Sequence, residues 1–184
     1  MKKNAGLIVL LIIISSIFVT SCATSEFADD PIKTVGSLDL ERYLGRWYEI
    51  ARFQSGFEKN IYGATAEYSL REDGRVDVVN SGFKNNLDGK YTSVKAVAWR
   101  PDDSIPGELV VKFFSLFKGE YLVFGLDEEN YEWAIVGNNN RNFLWFLSRT
   151  PEISQELQDK MEQLAIEQGY DLSELFYVPQ KLRD

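Results

Sequence analysis

One cysteine, Cys22, and no histidine occur among the 184 residues of the chain. Histidine is the usual general base and zinc ligand near neutral pH, so histidine-assisted nucleophiles and histidine-bound haem or zinc are excluded. Acid–base catalysis would depend on carboxylates alone, and Glu49 is the candidate if strand alternation places it on the same face as Trp47. A buried, hydrogen-bonded structural role accounts for Glu49 equally well. The chain is therefore predicted not to be an enzyme and to carry no metal ion or cofactor.

Cys22 is the residue with the clearest chemistry. It follows two lysines, an apolar stretch over residues 5–19 and small residues, which is the layout of a signal peptide. About 15 apolar residues fall short of the roughly 20 that a membrane-spanning helix needs. The segment Val19-Thr20-Ser21-Cys22 resembles the lipobox of bacterial lipoproteins. Because no second cysteine is present for an internal disulfide, the resemblance implies that residues 1–21 are removed and that Cys22 is acylated.

The residue after the cysteine is Ala23 and not aspartate. In lipoproteins of bacteria with two membranes, the lack of aspartate at this position implies transport to the outer membrane. Several acyl chains on one cysteine make such an anchor effectively permanent. We therefore expect a location in the cell envelope, lipid-anchored to the outer membrane on its periplasmic face.

The mature chain is predicted to contain a tether and one domain. Residues 22–37 include few core-forming residues and are predicted to be a lipidated tether, whereas residues 38–184 suffice for one domain with one core. Removal of residues 1–21 takes away two lysines and changes the formal charge from −8 to −10. So acidic a protein is not expected to bind nucleic acid, because phosphates are bound through Lys and Arg.

From Trp47 to Arg149, runs of about eight residues rich in β-branched and aromatic side chains alternate with clusters of Gly, Asn, Asp or Pro, which predicts an all-β fold. Eight strands are predicted at 46–54, 61–70, 75–82, 89–100, 107–114, 119–126, 130–137 and 142–149. The short connections make neighbouring strands antiparallel in sequence order. Closure of this up-and-down sheet into a barrel would remove its exposed edges.

After the eighth strand the hydrophobic period becomes helical. The apolar residues of this period share one face: Leu157, Met161, Leu164 and Ala165. Ser154 is predicted to cap the N-terminus of the helix, and Gly169 to end it. The β-prone segment 175–178, which Pro179 terminates, is predicted to add a short ninth strand at an edge.

Three local patterns resemble those of the lipocalin family, in the family's order and on matching elements. Gly45 and Trp47 fit the G-x-W motif on the first strand. Asp127 and Tyr131 match part of the second motif, in the loop between strands six and seven. Arg149 matches the third motif, after strand eight. The resemblance covers about the whole mature chain and is closest to the outer-membrane lipoprotein branch of the family in bacteria.

These five motif residues are expected to be structural. An eight-stranded barrel tapers to an opening that the large ring of Trp47 can plug. The resemblance places the guanidinium of Arg149 against that ring, where it would contribute about 0.5 to 2 kcal/mol. The motifs thus imply a closed end of the barrel that takes no part in ligand binding.

A small barrel is either filled by its own side chains or holds one small ligand. With the register taken from the resemblance, alternation directs an apolar and aromatic set of side chains inward. The predicted ligand-binding residues are Tyr68, Val78, Val111, Phe113, Tyr121, Val123, Phe143 and Trp145. For each of them the alternative is core packing without ligand contact, above all in the closed half.

Charge is distributed unevenly between the two ends of the predicted barrel. The loops after strands one, three, five and seven carry five basic and three acidic residues, and those after strands two, four and six carry three basic and eight acidic residues. The motifs assign the second set to the closed end, so the open end is the basic pole. Its predicted mouth charges are Lys59, Lys84, Lys118 and Arg141. Solvated surface charge without a ligand role is an equal alternative.

A basic rim above an apolar cavity suits an amphiphile with an anionic head. The resemblance to bacterial lipocalins implies storage or transport of a fatty acid or lysophospholipid, and it allows a homodimer. The competing hypothesis is a structural or stress-related envelope lipoprotein that has a filled barrel and acts through its surface. Bound lipid distinguishes the two hypotheses, since only the first predicts it.

Overall fold

The computed structural model describes residues 30–54, 56, 58–113 and 117–181. The predicted signal peptide and Cys22 lie outside the described residues, so cleavage and acylation stay predictions. Within the described ranges, no helix is long and apolar enough to cross a membrane.

Eight antiparallel strands follow one another around a closed barrel, and a short ninth strand is added near the C-terminus. The strands are β1 (Gly45–Phe53), β2 (Ile61–Leu70), β3 (Val76–Lys84), β4 (Tyr91–Trp99), β5 (Glu108–Phe113), β6 (Phe117–Leu126), β7 (Trp133–Gly137), β8 (Leu144–Ser148) and β9 (Leu175–Tyr177). The helices are α1 (Leu40–Tyr43) and α2 (Gln155–Glu167), with a 3₁₀ turn at Leu172–Glu174. The predicted fold class is confirmed.

The seventh strand shows the largest difference from its predicted start, residue 130. β7 begins only at Trp133, because the preceding residues form a turn. In this turn Tyr131 has a φ of +59° and its N–H donates to the Asp127 carbonyl at 2.8 Å. A left-handed residue that bonds within its own turn cannot continue a strand.

β1 closes the barrel. Its first half pairs with β2 and its second half with β9, while β8 lies along its other edge. The side-chain amide of Gln180 then donates to the carbonyls of Glu49 and Ala64, at 2.7 and 3.1 Å. The C-terminal segment thus fills the gap that opens between β1 and β2.

α2 packs on the outside of the barrel, with Met161 and Ala165 fully buried. Its N-cap is Ser154, whose hydroxyl accepts from the Leu157 N–H at 3.2 Å. The helix ends just before Gly169, whose φ of +84° is a conformation that glycine adopts without strain. The helix therefore begins and ends where the sequence predicts.

Residues 30–37, predicted to belong to the tether, lie along the barrel wall instead. Ile32 is buried in the cluster between the wall and α2, and its N–H donates to the Asn139 side chain at 2.9 Å. The Val35 N–H donates to the Val123 carbonyl, also at 2.9 Å. A few apolar contacts and backbone hydrogen bonds thus attach a segment whose composition is poor in core formers.

Candidate functional site

The closed end of the barrel is built around Trp47, which is fully buried. Its indole N–H donates to the Tyr43 carbonyl at 2.8 Å. The guanidinium carbon of Arg149 lies 3.7 Å from the centroid of the indole ring. Arg149 also donates to the carbonyls of Arg42 and Arg46, at 2.8 and 2.9 Å. A flat ring and a cation bound to backbone carbonyls together close this end.

The remaining motif residues hold the chain around this floor. Gly45 has a φ of +88°, and a side chain there would lie against Arg149. The Asp127 carboxylate accepts from two backbone N–H groups of its own loop, at 3.3 Å each. The Tyr131 carbonyl accepts from Arg149 at 3.2 Å, and the Tyr131 hydroxyl accepts from the Asp39 N–H at 2.9 Å. Each motif residue thus supports the floor or its loop.

Above the floor lies a cavity of about 610 Å³, within the size range of small-molecule sites. Its lining is mostly apolar and aromatic. The lining residues are Glu49, Ala66, Tyr68, Val78, Asn80, Val94, Val111, Phe113, Lys118, Gly119, Glu120, Tyr121, Phe143, Trp145 and Leu147. The barrel is therefore not filled by its own side chains.

Seven of the eight residues predicted to contact a ligand line this cavity. Val123 does not line it. It is fully buried in the packed cluster that surrounds Trp47. It follows Tyr121 by two residues on β6 and therefore lies on the same face of that strand. Alternation therefore gives the correct face for Val123, but the depth of the cavity depends on how high the floor residues reach.

Two of the predicted mouth charges lie at cavities. Lys118 lines the main cavity, and its ammonium group is 5.4 Å from the centroid of the Trp99 ring. Lys84 lines a smaller adjoining cavity of about 190 Å³, which shares Glu49, Asn80 and Val94 with the main one. A cation is thus available beside each space.

The other two predicted mouth charges lie elsewhere. Lys59 is exposed and lines neither cavity. Arg141 donates to backbone carbonyls of the N-terminal segment, its own loop and the end of α2, at 2.6 to 2.8 Å. A guanidinium group with several donors can join segments in this way, and Arg141 is used to attach residue 30 to the barrel.

Glu49 and Arg52 form a buried, hydrogen-bonded pair between the two cavities, and no sequence pattern indicates this pairing. Arg52 Nη1 donates to Glu49 Oε2 at 2.9 Å, with both side chains almost entirely buried. Arg52 Nη2 donates to the carbonyls of Glu58 and Ile61, while Arg52 Nε is buried without a hydrogen-bond partner among the described residues. The Glu58 carboxylate accepts from the Trp145 indole at 3.2 Å.

The Glu49 carboxyl is strongly perturbed by its surroundings. Burial and the nearby Glu58 carboxylate raise the pKa of Glu49 to about 8, although the Arg52 guanidinium acts to lower it. Glu49 therefore takes up a proton near neutral pH, within the wall of the main cavity. Its role is that of a buried, hydrogen-bonded acid.

Three tyrosines form a hydrogen-bonded group at the floor of the cavity. The Tyr121 hydroxyl lies 2.8 Å from that of Tyr43 and 2.9 Å from that of Tyr68. Burial raises the pKa of each phenol above its ordinary value. All three hydroxyls consequently keep their protons, and those of Tyr68 and Tyr121 are polar groups in the mostly apolar wall of the cavity.

A family model described as a lipocalin-like domain matches residues 38–180. The chain belongs to the lipocalin family. It is 37% identical over 172 residues to the outer membrane lipoprotein Blc of Vibrio cholerae, covering 94% of this chain and 98% of that protein. The protein of the same name from Escherichia coli K12 is 38% identical over 163 residues, covering 89% and 91% of the two chains.

Solved lipocalin structures share the fold at much lower identity. Insecticyanin from the tobacco hornworm Manduca sexta superposes with a TM-score of 0.65 over 84% of this chain and 86% of that one, at 19% identity. The predicted membership of the lipocalin family and its outer-membrane lipoprotein branch is confirmed. The predicted lipid-anchored location at the outer membrane is also confirmed, because the two Blc relatives are named outer membrane lipoproteins, whereas the periplasmic face stays a prediction. The family and these names indicate a binding protein rather than an enzyme.

Proposed function

We propose that this lipocalin holds one fatty acid or lysophospholipid in its main cavity and stores or transports it while an acylated Cys22 anchors it to the outer membrane. The observation that carries the proposal is an apolar cavity of about 610 Å³ inside a barrel closed at one end. A closed floor and an open mouth suit a molecule with one apolar and one polar end.

One wall of the cavity matches an extended chain. Phe143 and Trp145 are stacked with their ring centroids 5.6 Å apart and an interplanar angle of 3°, and Leu147 continues the same wall. Four residues of extended backbone cover about 13 Å. Burial of about 15 methylenes would contribute up to about 12 kcal/mol, before several kcal/mol are lost to ordering. Micromolar binding needs about 8 kcal/mol.

The mouth supports an anionic head group. Lys118 is exposed, lines the cavity and has no carboxylate within ion-pair distance among the described residues. The neighbouring Glu120 carboxylate is engaged by the Asn139 backbone and side chain, at 3.0 and 3.1 Å. A carboxylate or phosphate at the mouth would therefore meet a cation that no described carboxylate neutralises.

The position of the anchor supports exchange with the membrane. Arg141, in the loop between β7 and β8 at the open end, donates to the Asp30 carbonyl at 2.6 Å. The first described residue therefore lies at the mouth end of the barrel. The eight residues from Cys22 to Asp30 can span at most about 29 Å. An anchor of this length keeps the mouth close to the bilayer that supplies the lipid.

Two substitutions on β3 test the proposal. Val78 lines the cavity, whereas Val79 faces the other side of the same strand. We expect the Val78→Trp side chain to fill the cavity. The affinity for lysophospholipid, measured by displacement of a dansyl-labelled fatty acid, should fall at least tenfold, which corresponds to about 1.4 kcal/mol. Val79→Trp is the matched control and should bind like the unmodified mature protein. All proteins are held in amphipol, and amphipol alone is the blank.

Equal binding by the two variants would contradict the proposal, and so would an absence of binding by the unmodified protein. The latter result would favour the competing hypothesis, an envelope lipoprotein that acts through its surface. The open cavity argues against that hypothesis, because an interior without a ligand role is normally close-packed.

A further inference from the structure

The tyrosine group at the cavity floor has more hydrogen-bond donors than its internal bonds can use. Each phenol hydroxyl carries one proton and donates once. Three hydroxyls bring three protons, but two hydrogen bonds join them, Tyr43 with Tyr121 and Tyr68 with Tyr121. Among the described residues no further partner is found for these hydroxyls. One phenol proton is therefore left without an acceptor.

The spare proton has three places, depending on how the two hydrogen bonds are directed. It lies on Tyr68 if Tyr43 donates to Tyr121 and Tyr121 to Tyr68. It lies on Tyr121 if both neighbours donate to Tyr121. It lies on Tyr43 if Tyr68 donates to Tyr121 and Tyr121 donates to Tyr43. Tyr68 and Tyr121 line the main cavity and Tyr43 does not. A ligand acceptor in the cavity would select one of the first two arrangements.

We propose that Tyr68 and Tyr121 form a subsite for a neutral hydrogen-bond acceptor on the lipid chain, so that the cavity prefers hydroxylated or oxo-substituted acyl chains to unsubstituted ones. The inference rests on the proposed function, since it concerns the chain of the same ligand. A buried hydroxyl without an acceptor is unfavourable, and an oxygen on the chain would satisfy it.

The charges of the cavity favour a neutral acceptor over the acidic head at this position. Lys118 is the one basic residue among the described residues that line the main cavity, and it lies at the mouth. Tyr121 follows it by three residues on β6, a distance of about 10 Å along an extended strand. With the head at Lys118, the tyrosines meet the middle of the chain.

Competition between two acids tests the proposal. The delipidated mature protein, held in amphipol, is mixed with equal amounts of stearic acid and 10-hydroxystearic acid, and native mass spectrometry counts each bound species. One additional hydrogen bond should favour the hydroxylated acid roughly three- to tenfold. A second competition uses 2-hydroxystearic acid, whose hydroxyl lies beside the head, and here we expect a ratio of about one.

Tyrosine variants locate the effect. Tyr68→Phe combined with Tyr121→Phe removes both cavity hydroxyls, and the ratio for 10-hydroxystearic acid should fall to about one while stearic acid still binds. Tyr43→Phe is the matched control. It leaves two protons and one bond between Tyr68 and Tyr121, so the spare proton and the preference should remain.

Each outcome bears on one proposal. Equal binding of the two acids by the unmodified protein would overturn the subsite and leave the lipid-binding function intact. A preference that persists in the double variant would also overturn it, as would a double variant that loses stearic acid as strongly as the hydroxylated acid, because the carboxylate would then be the group at the floor. If the unmodified protein binds neither acid, the proposed function itself fails.

Discussion

The same strands form both ends of the barrel, but the closed end is packed with side chains and the open end surrounds a cavity. At the closed end Trp47 is fully buried, and Arg149 both stacks on it and donates to backbone carbonyls. At the open end the strands surround about 610 Å³ of space, and Glu49 and Arg52 are buried and hydrogen-bonded to each other beside it. The floor is closely packed, whereas the open half encloses a cavity and buries ionisable side chains. Substitutions at the floor should therefore alter stability, and those in the open half should alter binding and pH dependence.

Loss of the Trp47 ring should have the largest effect on stability. Trp47→Ala removes a fully buried aromatic side chain and leaves a cavity, so the free energy of unfolding should fall by about 3 to 5 kcal/mol. Denaturant unfolding of the mature protein measures this. Trp99→Ala, at a half-buried tryptophan at the end of β4, should cost clearly less. An unchanged Tm for Trp47→Ala would contradict the role given to the floor.

Arg149 should contribute less than Trp47. Arg149→Met keeps the length of the side chain but loses the cation over the indole and three hydrogen bonds to carbonyls, for about 2 kcal/mol. Arg46→Met provides the comparison, because Arg46 forms an exposed ion pair with Glu67, and such pairs contribute less than about 1 kcal/mol. Equal losses for the two arginines would show that the floor has no special role.

Glu49, in the open half, should make the free energy of unfolding depend on pH. Because the pKa of Glu49 is raised in the folded state to about 8, the folded protein holds this proton more tightly than the unfolded chain does. Stability from this group is fully present below about 4.5, the ordinary value, and is lost as the pH rises toward 8. Glu49→Gln should therefore gain stability relative to the unmodified protein as the pH rises. A constant difference between the two across this window would refute the assignment.

The floor could be predicted from the sequence far better than the open half. Trp47, Arg149 and Gly45 are recognisable because a short motif surrounds each of them. The pairing of Glu49 with Arg52 was not predictable, since strict alternation places residues three apart on opposite faces of a strand. A register shift in β1 between Glu49 and Ala51 changes the alternation, and no residue type marks it.

The lining of the cavity falls between these cases. Strand alternation suffices for the aromatic and aliphatic lining residues, and it would also have found Asn80, two residues beyond Val78 on β3. Whether an inward residue reaches the cavity depends on depth, as Val123 shows. Arg141 illustrates a further limit, because its partners are backbone carbonyls distant in sequence. Loop charge alone does not indicate which way such a side chain turns.

The most direct test of the central claim, that the open half of the barrel holds a single lipid, is to isolate the mature protein from native membranes in amphipol and to identify its bound lipids by mass spectrometry. We expect about one fatty acid or lysophospholipid per chain in the unmodified protein and in Val79→Trp, and little in Val78→Trp, whose added ring fills the cavity. An empty cavity in all three proteins, together with no uptake of added lysophospholipid, would contradict the claim.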